Sequence, residues 1–263
     1  MIKALFTSAT GMNAQQTMVD NTANNLANVN TTGFKKSQVE FSDLIYITQR
    51  TPGSESAQGL QVPTGFQIGS GVRVAGTTKL FGEGVLQNTG NPFDLAIEGD
   101  GFFQVTLPDG TLRYTRDGAL RKNQTGQLVT NDGYLISPPI TIPSDAIQVD
   151  IGSDGTVSMV SAGSPNTSKQ IGQIQIARFV NPAGLSSQGQ NLFAESGASG
   201  TAVPTAPGLN GAGNVRQAFL ERSNVDVVSE LVNLILAQRA YEFNTRAVRT
   251  ADDMLSNTNN LTR

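Results

Sequence analysis

Residues Ser223 to Arg263 read SNVDVVSELVNLILAQRAYEFNTRAVRTADDMLSNTNNLTR, a stretch with no Gly and no Pro. Within it Leu236, Ala240, Phe243, Ala247, Thr250, Met254 and Leu261 recur in steps of three, four or seven, and Val225, Val228, Val232 and Ile235 widen the stripe near its start. That spacing predicts one long helix with an apolar face. Asn224 or Asp226 can cap the first turn, and Asp226 and Glu230 set negative charge at the positive end of the helix dipole. Glu242 stands four residues before Arg246, the favourable orientation for an exposed pair. A helix of this length with one sticky stripe needs something long to lie against.

The other end of the chain supplies a match. Ile2, Leu5, Ala9, Met12, Val19, Ala23 and Leu26 alternate in threes and fours, with Gln16 filling the remaining seam position and Gly11 as the weak point. Two stripe-bearing helices at opposite ends of one chain can pack on each other or on neighbouring copies. Asn21, Asn24, Asn25 and Asn28 form a second stripe on the N-terminal helix, although Asn competes with the backbone inside helices. That stripe reads either as a solvated polar face or as an amide-lined contact with adjacent subunits. The helix is expected to stop around Asn30 to Gly33, with Gly33 as a left-handed cap.

Between the helices the periodicity changes. Phe34 to Arg50 reads as an amphipathic connector, and Thr51 to Gly71, rich in Pro, Gly, Ser and Gln, as an extended or flexible segment. From Val72 to about Phe179 come short strands such as Leu95/Ile97, Phe103/Val105/Leu107, Leu128/Val129, Ile147/Val149/Ile151 and Ile174/Ile176. Asp109-Gly110, Asp117-Gly118, Asp132-Gly133 and Asp154-Gly155 supply the turns between them. Pro182 to Asn214 is again Gly, Ser and Pro rich and leads back to the final helix. The expected class is α + β. Long terminal helices (1–33 and 222–263) form a coiled coil, 34–72 is an extended connector, and 73–221 is a mainly antiparallel β domain with its return linker.

Composition narrows the chemistry. Of 263 residues, 15% are charged, against the roughly 25% usual in soluble domains. Asn, Gln, Ser, Thr and Gly fill the deficit, which favours neutral hydrogen-bonding surfaces. The net charge of −3 suggests no nucleic-acid partner. With no Cys and no His, thiol nucleophiles, histidine acid–base pairs and zinc sites built on those residues are excluded. No run is long enough for a membrane span or a signal-peptide core, so any export would use a route without a cleaved signal.

Three features could suggest a catalyst. Asp94, Glu98 and Asp100 lie close in sequence, but strand alternation puts Asp94 and Glu98 on an outer face opposite Leu95 and Ile97, where solvation explains them. Gly99-Asp100-Gly101 and Gly208 to Gly213 are turn-like and lie outside any βαβ unit. Tyr114, Arg116 and Arg121 read as outward-facing strand residues. The expectation is no enzyme, no cofactor and no metal.

The stretch ANNLANVNTTGFK (Ala23 to Lys35) resembles the N-terminal motif of the bacterial flagellar rod and hook family, and Ser223 to Val248 resembles its C-terminal motif. DLAIEGDGFFQV (Asp94 to Val105) and YTRDGALRKNQTGQLVTNDGYLI (Tyr114 to Ile136) are similar to the family's β core. The resemblance covers essentially the whole chain in order. The segment from Tyr46 through PTGFQIGSGVRV is similar to that of the branch building the distal rod, where it is associated with stiffness. A proximal rod or hook subunit is the alternative within the family. A secreted oligomeric β module that binds or cleaves carbohydrate is the alternative outside it, poorly supported with no Trp and 6% aromatics.

The resemblance implies a structural subunit of a hollow helical polymer that carries torque across the periplasm. Its terminal helices would form the inner tube and its β domain the outside. Implied partners are further copies, proximal rod proteins, the hook protein, the outer-membrane and peptidoglycan bushing rings, and the flagellar type III export apparatus. The expected assembly residues are Leu5, Met12, Val19, Asn21, Asn24, Asn25, Leu26, Asn28, Leu236, Phe243 and Met254. Of these, Leu236, Phe243 and Met254 are expected to anchor the coiled coil within one subunit, the asparagine face to meet neighbours, and Thr51 to Gly71 to brace adjacent copies.

Overall fold

The computed structural model describes residues 2–53, 55–57, 60–61 and 63–261. The chain divides into two compact units, one made of Met1–Ala27, Ser37–Thr78 and Asp226–Arg263, the other of Asn28–Lys36 and Lys79–Val225. Helices at the two ends and antiparallel strands between them give the expected α + β class.

In the first unit α1 (Ile2–Ala27) and α2 (Val227–Leu261) pack along each other. Asn25 Nδ2 lies 3.4 Å from Glu230 Oε2, and Thr245 Oγ1 lies 3.5 Å from Met12 Sδ. Gly11 faces Asn244 so closely that a Cβ there would sit 2.9 Å from its amide nitrogen. Position falls along α2 as it rises along α1, so the pair is antiparallel. At 1.5 Å per residue α2 is about 52 Å long and overhangs the shorter α1. Asp226 caps α2, its carboxylate accepting the backbone N–H groups of Val228 and Ser229. Asn224 is used elsewhere, donating to the carbonyls of Leu80 and Gly82.

The segment read as extended or flexible lies within a ribbon of paired extended strands. Ser37–Asp43 pairs with Val72–Lys79, Ile47–Arg50 runs antiparallel to Phe66–Ile68, and Glu55–Ala57 antiparallel to Leu60–Gln61. Where these strands pair, their backbone groups find partners across the ladder. Residues 54, 58, 59 and 62 of this segment lie outside the described residues. The ribbon lies on α1 at two points. The Asn21 and Asn25 amides donate to the Ser37 carbonyl at 2.7 and 2.9 Å, and Ser37 N–H returns a bond to Asn25 Oδ1. Nearer the start of α1, Gly71 (φ 115°) passes so close to Thr10 that a Cβ would lie 2.2 Å from its hydroxyl.

The second unit is built around Phe102–Thr106. This strand pairs antiparallel with Leu112–Thr115, with Leu135–Ile136 and with Ile176–Arg178. Because the pleat alternates, neighbouring Phe103 and Phe102 enter different cores. Phe103 joins Leu95, Ile97, Leu120, Ile136, Val157, Ile174 and Ile176, and Phe102 joins Tyr114, Phe179 and Phe193. The second group is an edge-to-face aromatic cluster, Tyr114 and Phe179 having centroids 4.8 Å apart. Ala146–Ile151, Thr156–Ser161 and Ser164–Gln173 form a three-stranded meander. Asp109-Gly110, Asp132-Gly133 and Asp154-Gly155 carry left-handed glycines at turns. Asp117-Gly118 departs from that reading: Gly118 has no left-handed φ, and a Cβ on it would meet the Leu95 carbonyl.

Candidate assembly surface

The faces of α2 follow from burial. Ala237 and Ala251 are buried, and Leu234, Asn244, Val248 and Leu255 are half-buried, with Glu230 closing the start of the row. This row steps four and three along the helix and turns towards α1. The expected anchors lie elsewhere: Leu236 is 59% exposed, Phe243 65% and Met254 52%. Anchoring within one subunit is therefore corrected. The apolar stripe is present, but the small-residue row beside it lets the helices approach closely and takes the seam. Val228, Val232 and Ile235 are exposed as well, and so are Ile2 and Phe6 on α1. Leu261 lies outside the described side chains.

The other expected residues divide. Leu5, Met12, Val19 and Leu26 are half-buried on α1. Val19 lines an open groove of about 400 Å³ with Gln16, Gln238, Tyr241 and Glu242. Asn25, 1% exposed, commits its amide to Ser37 and Glu230, and Asn21 also binds Ser37, so these two hold the ribbon rather than face outward. Asn24 is exposed. Asn28 lies just beyond the end of α1, where its side-chain oxygen accepts the Thr31 hydroxyl at 3.1 Å. Ile45, Tyr46, Ile47 and Phe66 on the ribbon are exposed apolar groups that the hydropathy pattern did not single out.

Sequence reading also missed a buried charge cluster in the second unit. Lys35 Nζ lies 2.5 Å from Glu221 Oε1 and donates to the Gly82 carbonyl at 2.8 Å. Arg116 Nη1 stands 3.5 Å from Glu221 Oε2, and its guanidinium donates to the Ile97 and Gly99 carbonyls. All three side chains are buried. Burial pushes the Lys35 ammonium below its usual value while Glu221 opposes that shift, and burial likewise lowers Arg116. Gly33 (φ 67°), expected to cap the helix, docks here instead, its N–H 2.8 Å from the Glu221 carbonyl and its Cα against the Arg116 and Asp117 backbone. Thr32 donates to Asp117, whose carboxyl is held above the usual range by burial. Tyr114 and Arg116 are thus interior groups rather than outward strand residues. Asp94 is buried too, accepting from Thr89 and Asn91, while Glu98 is solvated opposite Arg216. In the sequence Lys35 ends the N-terminal motif, Arg116 lies in the β-core motif and Glu221 stands two residues before the C-terminal motif.

Nothing in this arrangement gathers reacting groups, and among the described residues no cluster of three His, Cys, Asp or Glu could hold a metal. No described helix is long and apolar enough to cross a membrane. Residues 5–35 match the family described as "Flagella basal body rod protein", 96–159 the "Flagellar hook protein FlgE/F/G D1 domain", and 216–261 the "Flagellar basal body rod FlgEFG protein C-terminal". The flagellar basal-body rod protein FlgG of Borreliella burgdorferi is 48% identical over 265 residues, covering 100% of both chains. The chain belongs to the flagellar rod and hook family. The FlgG rod protein of Buchnera aphidicola subsp. Schizaphis graminum is 49% identical over 97% of this chain and 98% of its own. That of Bacillus subtilis is 41% identical over 100% of both. Within the family the chain stands with the distal rod proteins: it is a structural subunit of the flagellar basal body, not an enzyme.

Proposed function

We propose that this chain polymerises helically into the hollow distal part of the drive shaft, passing torque from motor to hook. The terminal helices of successive copies form a coiled-coil inner tube. The observation that carries this reading is the exposure of Leu236, Phe243 and Met254 along one line of α2. Large apolar side chains in such a line mark an interaction face. Burying each contributes about 1.5–3 kcal/mol, while association costs at least about 4 kcal/mol in lost freedom. One pairwise contact is therefore weak, and a lattice in which each copy meets several neighbours is strong. The low charge content lets many copies stack without repulsion. Asn24, Leu5, Met12, Val19 and Leu26 belong to the same interface, and the ribbon from Ser37 to Lys79 braces adjacent copies through Ile45, Tyr46, Ile47 and Phe66.

The shaft crosses the periplasm inside the outer-membrane and peptidoglycan bushing rings. It joins proximal rod proteins to the hook protein, and its subunits reach their places through the flagellar type III export apparatus without a cleaved signal. Electron microscopy of basal bodies from a strain lacking the gene tests the reading. A short proximal rod with no hook is expected. A complete rod lacking only the hook would move the role one step outward, and intact motile flagella would overturn it.

A further inference from the structure

The two flanks of the helix pair differ, and the difference is directional. Measured from the seam row of Leu234, Ala237, Val248 and Leu255, 3.6 residues per turn swing Leu236, Phe243 and Met254 about 100° one way and Gln238 about 100° the other. One flank of α2 therefore carries a ridge of large apolar groups. The opposite flank opens on the groove of about 400 Å³ lined by Gln16, Val19, Gln238, Tyr241 and Glu242. Phe243 directly follows Glu242 in the chain, so ridge and groove stand at nearly one height along the helix, about 1.5 Å apart.

We propose, building on the rod-subunit reading, that Phe243 of one copy seats in the Gln16–Val19–Gln238–Tyr241–Glu242 groove of the copy beside it. Tyr241 offers a ring for an edge-to-face contact and Val19 an apolar wall, while the Gln16 and Gln238 amides rim the seat. The occupant is a second copy of this chain because the complementary ridge lies on the same helix at the same level. A sideways step of one helix pair, with little axial slip, brings them together. The contact is heterologous, ridge to groove, and so leaves a free ridge and a free groove at the two ends of any row of copies. Such contacts do not stop at dimers: they close into rings where the rotation divides a full turn and run on as open helical arrays where it does not.

Cysteine cross-linking reads this directly, because the chain has no Cys of its own. A strain lacking the gene is complemented with Q16C, F243C or Q16C/F243C, and isolated basal bodies are oxidised and run without reductant. A disulfide requires Cβ atoms within about 4.5 Å, so the double variant is expected to give a ladder of multimers and each single variant monomer only. Assembled, motile cells with no ladder overturn the seat while leaving the rod-subunit reading intact. A ladder from Q16C/F6C in place of Q16C/F243C overturns it as well, by naming another occupant. If the cysteine variants fail to assemble, F243D and F243M decide. F243M is expected to swim and F243D to be exported, folded and non-motile, whereas wild-type swimming of F243D overturns the proposal. Failure of the unaltered chain to restore motility would instead strike the rod-subunit reading.

Discussion

The β unit and the helical unit solve the burial problem in opposite ways. In the β unit large side chains such as Phe103, Leu95, Ile97 and Ile176 are inside, and the charges that must be buried, Lys35, Arg116 and Glu221, are paired there. In the helical unit the buried apolar positions of the two helices, among the described residues, are Ala14, Ala237 and Ala251, while Phe6, Ile235, Leu236, Phe243 and Met254 face out. An ordinary amphipathic helix does the reverse, turning its large groups to the core. The lesson is that the β unit buries its largest core groups within one chain, whereas the helical unit leaves a line of large apolar groups exposed, the face that the proposed assembly would cover.

Substitutions should therefore divide sharply between the units. The largest stability loss is expected from Phe103→Ala, which empties a fully buried site and should cost the β unit about 3–5 kcal/mol, read as earlier loss of amide protection in peptides from 95–140. A matching loss in the helices alone would break the contrast. Glu221→Ala strands two buried cations and should cost about 3–5 kcal/mol by the same readout. An effect below about 0.5 kcal/mol would mean the cluster is solvated and the β unit less closed than described. Gly33→Ala meets both a left-handed φ and the Arg116 backbone, and a loss of about 1–3 kcal/mol is expected.

The smallest expected effect is on pH dependence. Asp117 titrates above its usual value when folded, so in that window the folded unit holds a proton that the unfolded chain has released. Stability then falls as pH rises from the ordinary carboxylate value through the raised one. Asp117→Asn should flatten that part of the curve in urea melts at several pH values. An unchanged slope would remove Asp117 as its source.

Much of this was legible in the sequence. Both helices followed from their three-and-four spacing, and the strands around Phe103 and Ile176 from alternation and Asp-Gly turns. What periodicity could not resolve was which of two adjacent stripes on α2 meets α1. Leu236, Phe243 and Met254 score higher in hydropathy than Ala237, Asn244 and Ala251, yet close helix approach favours the small row. The ribbon was missed because its Gly and Pro residues resemble a linker when cross-strand pairing is unseen. The Lys35–Glu221 pair was missed because its partners stand 186 positions apart.

The central claim is that the exposed stripe of α2 serves assembly and not the fold of the single chain. The most direct measurement is on L236D/F243D, made as a purified chain and as the sole copy in cells, with amide exchange and electron microscopy of basal bodies read together. The account predicts amide protection in the β unit within about 0.5 kcal/mol of the unaltered chain and basal bodies that stop short of the distal rod. Rods of normal length built from that variant, or collapse of the β unit itself, would contradict it.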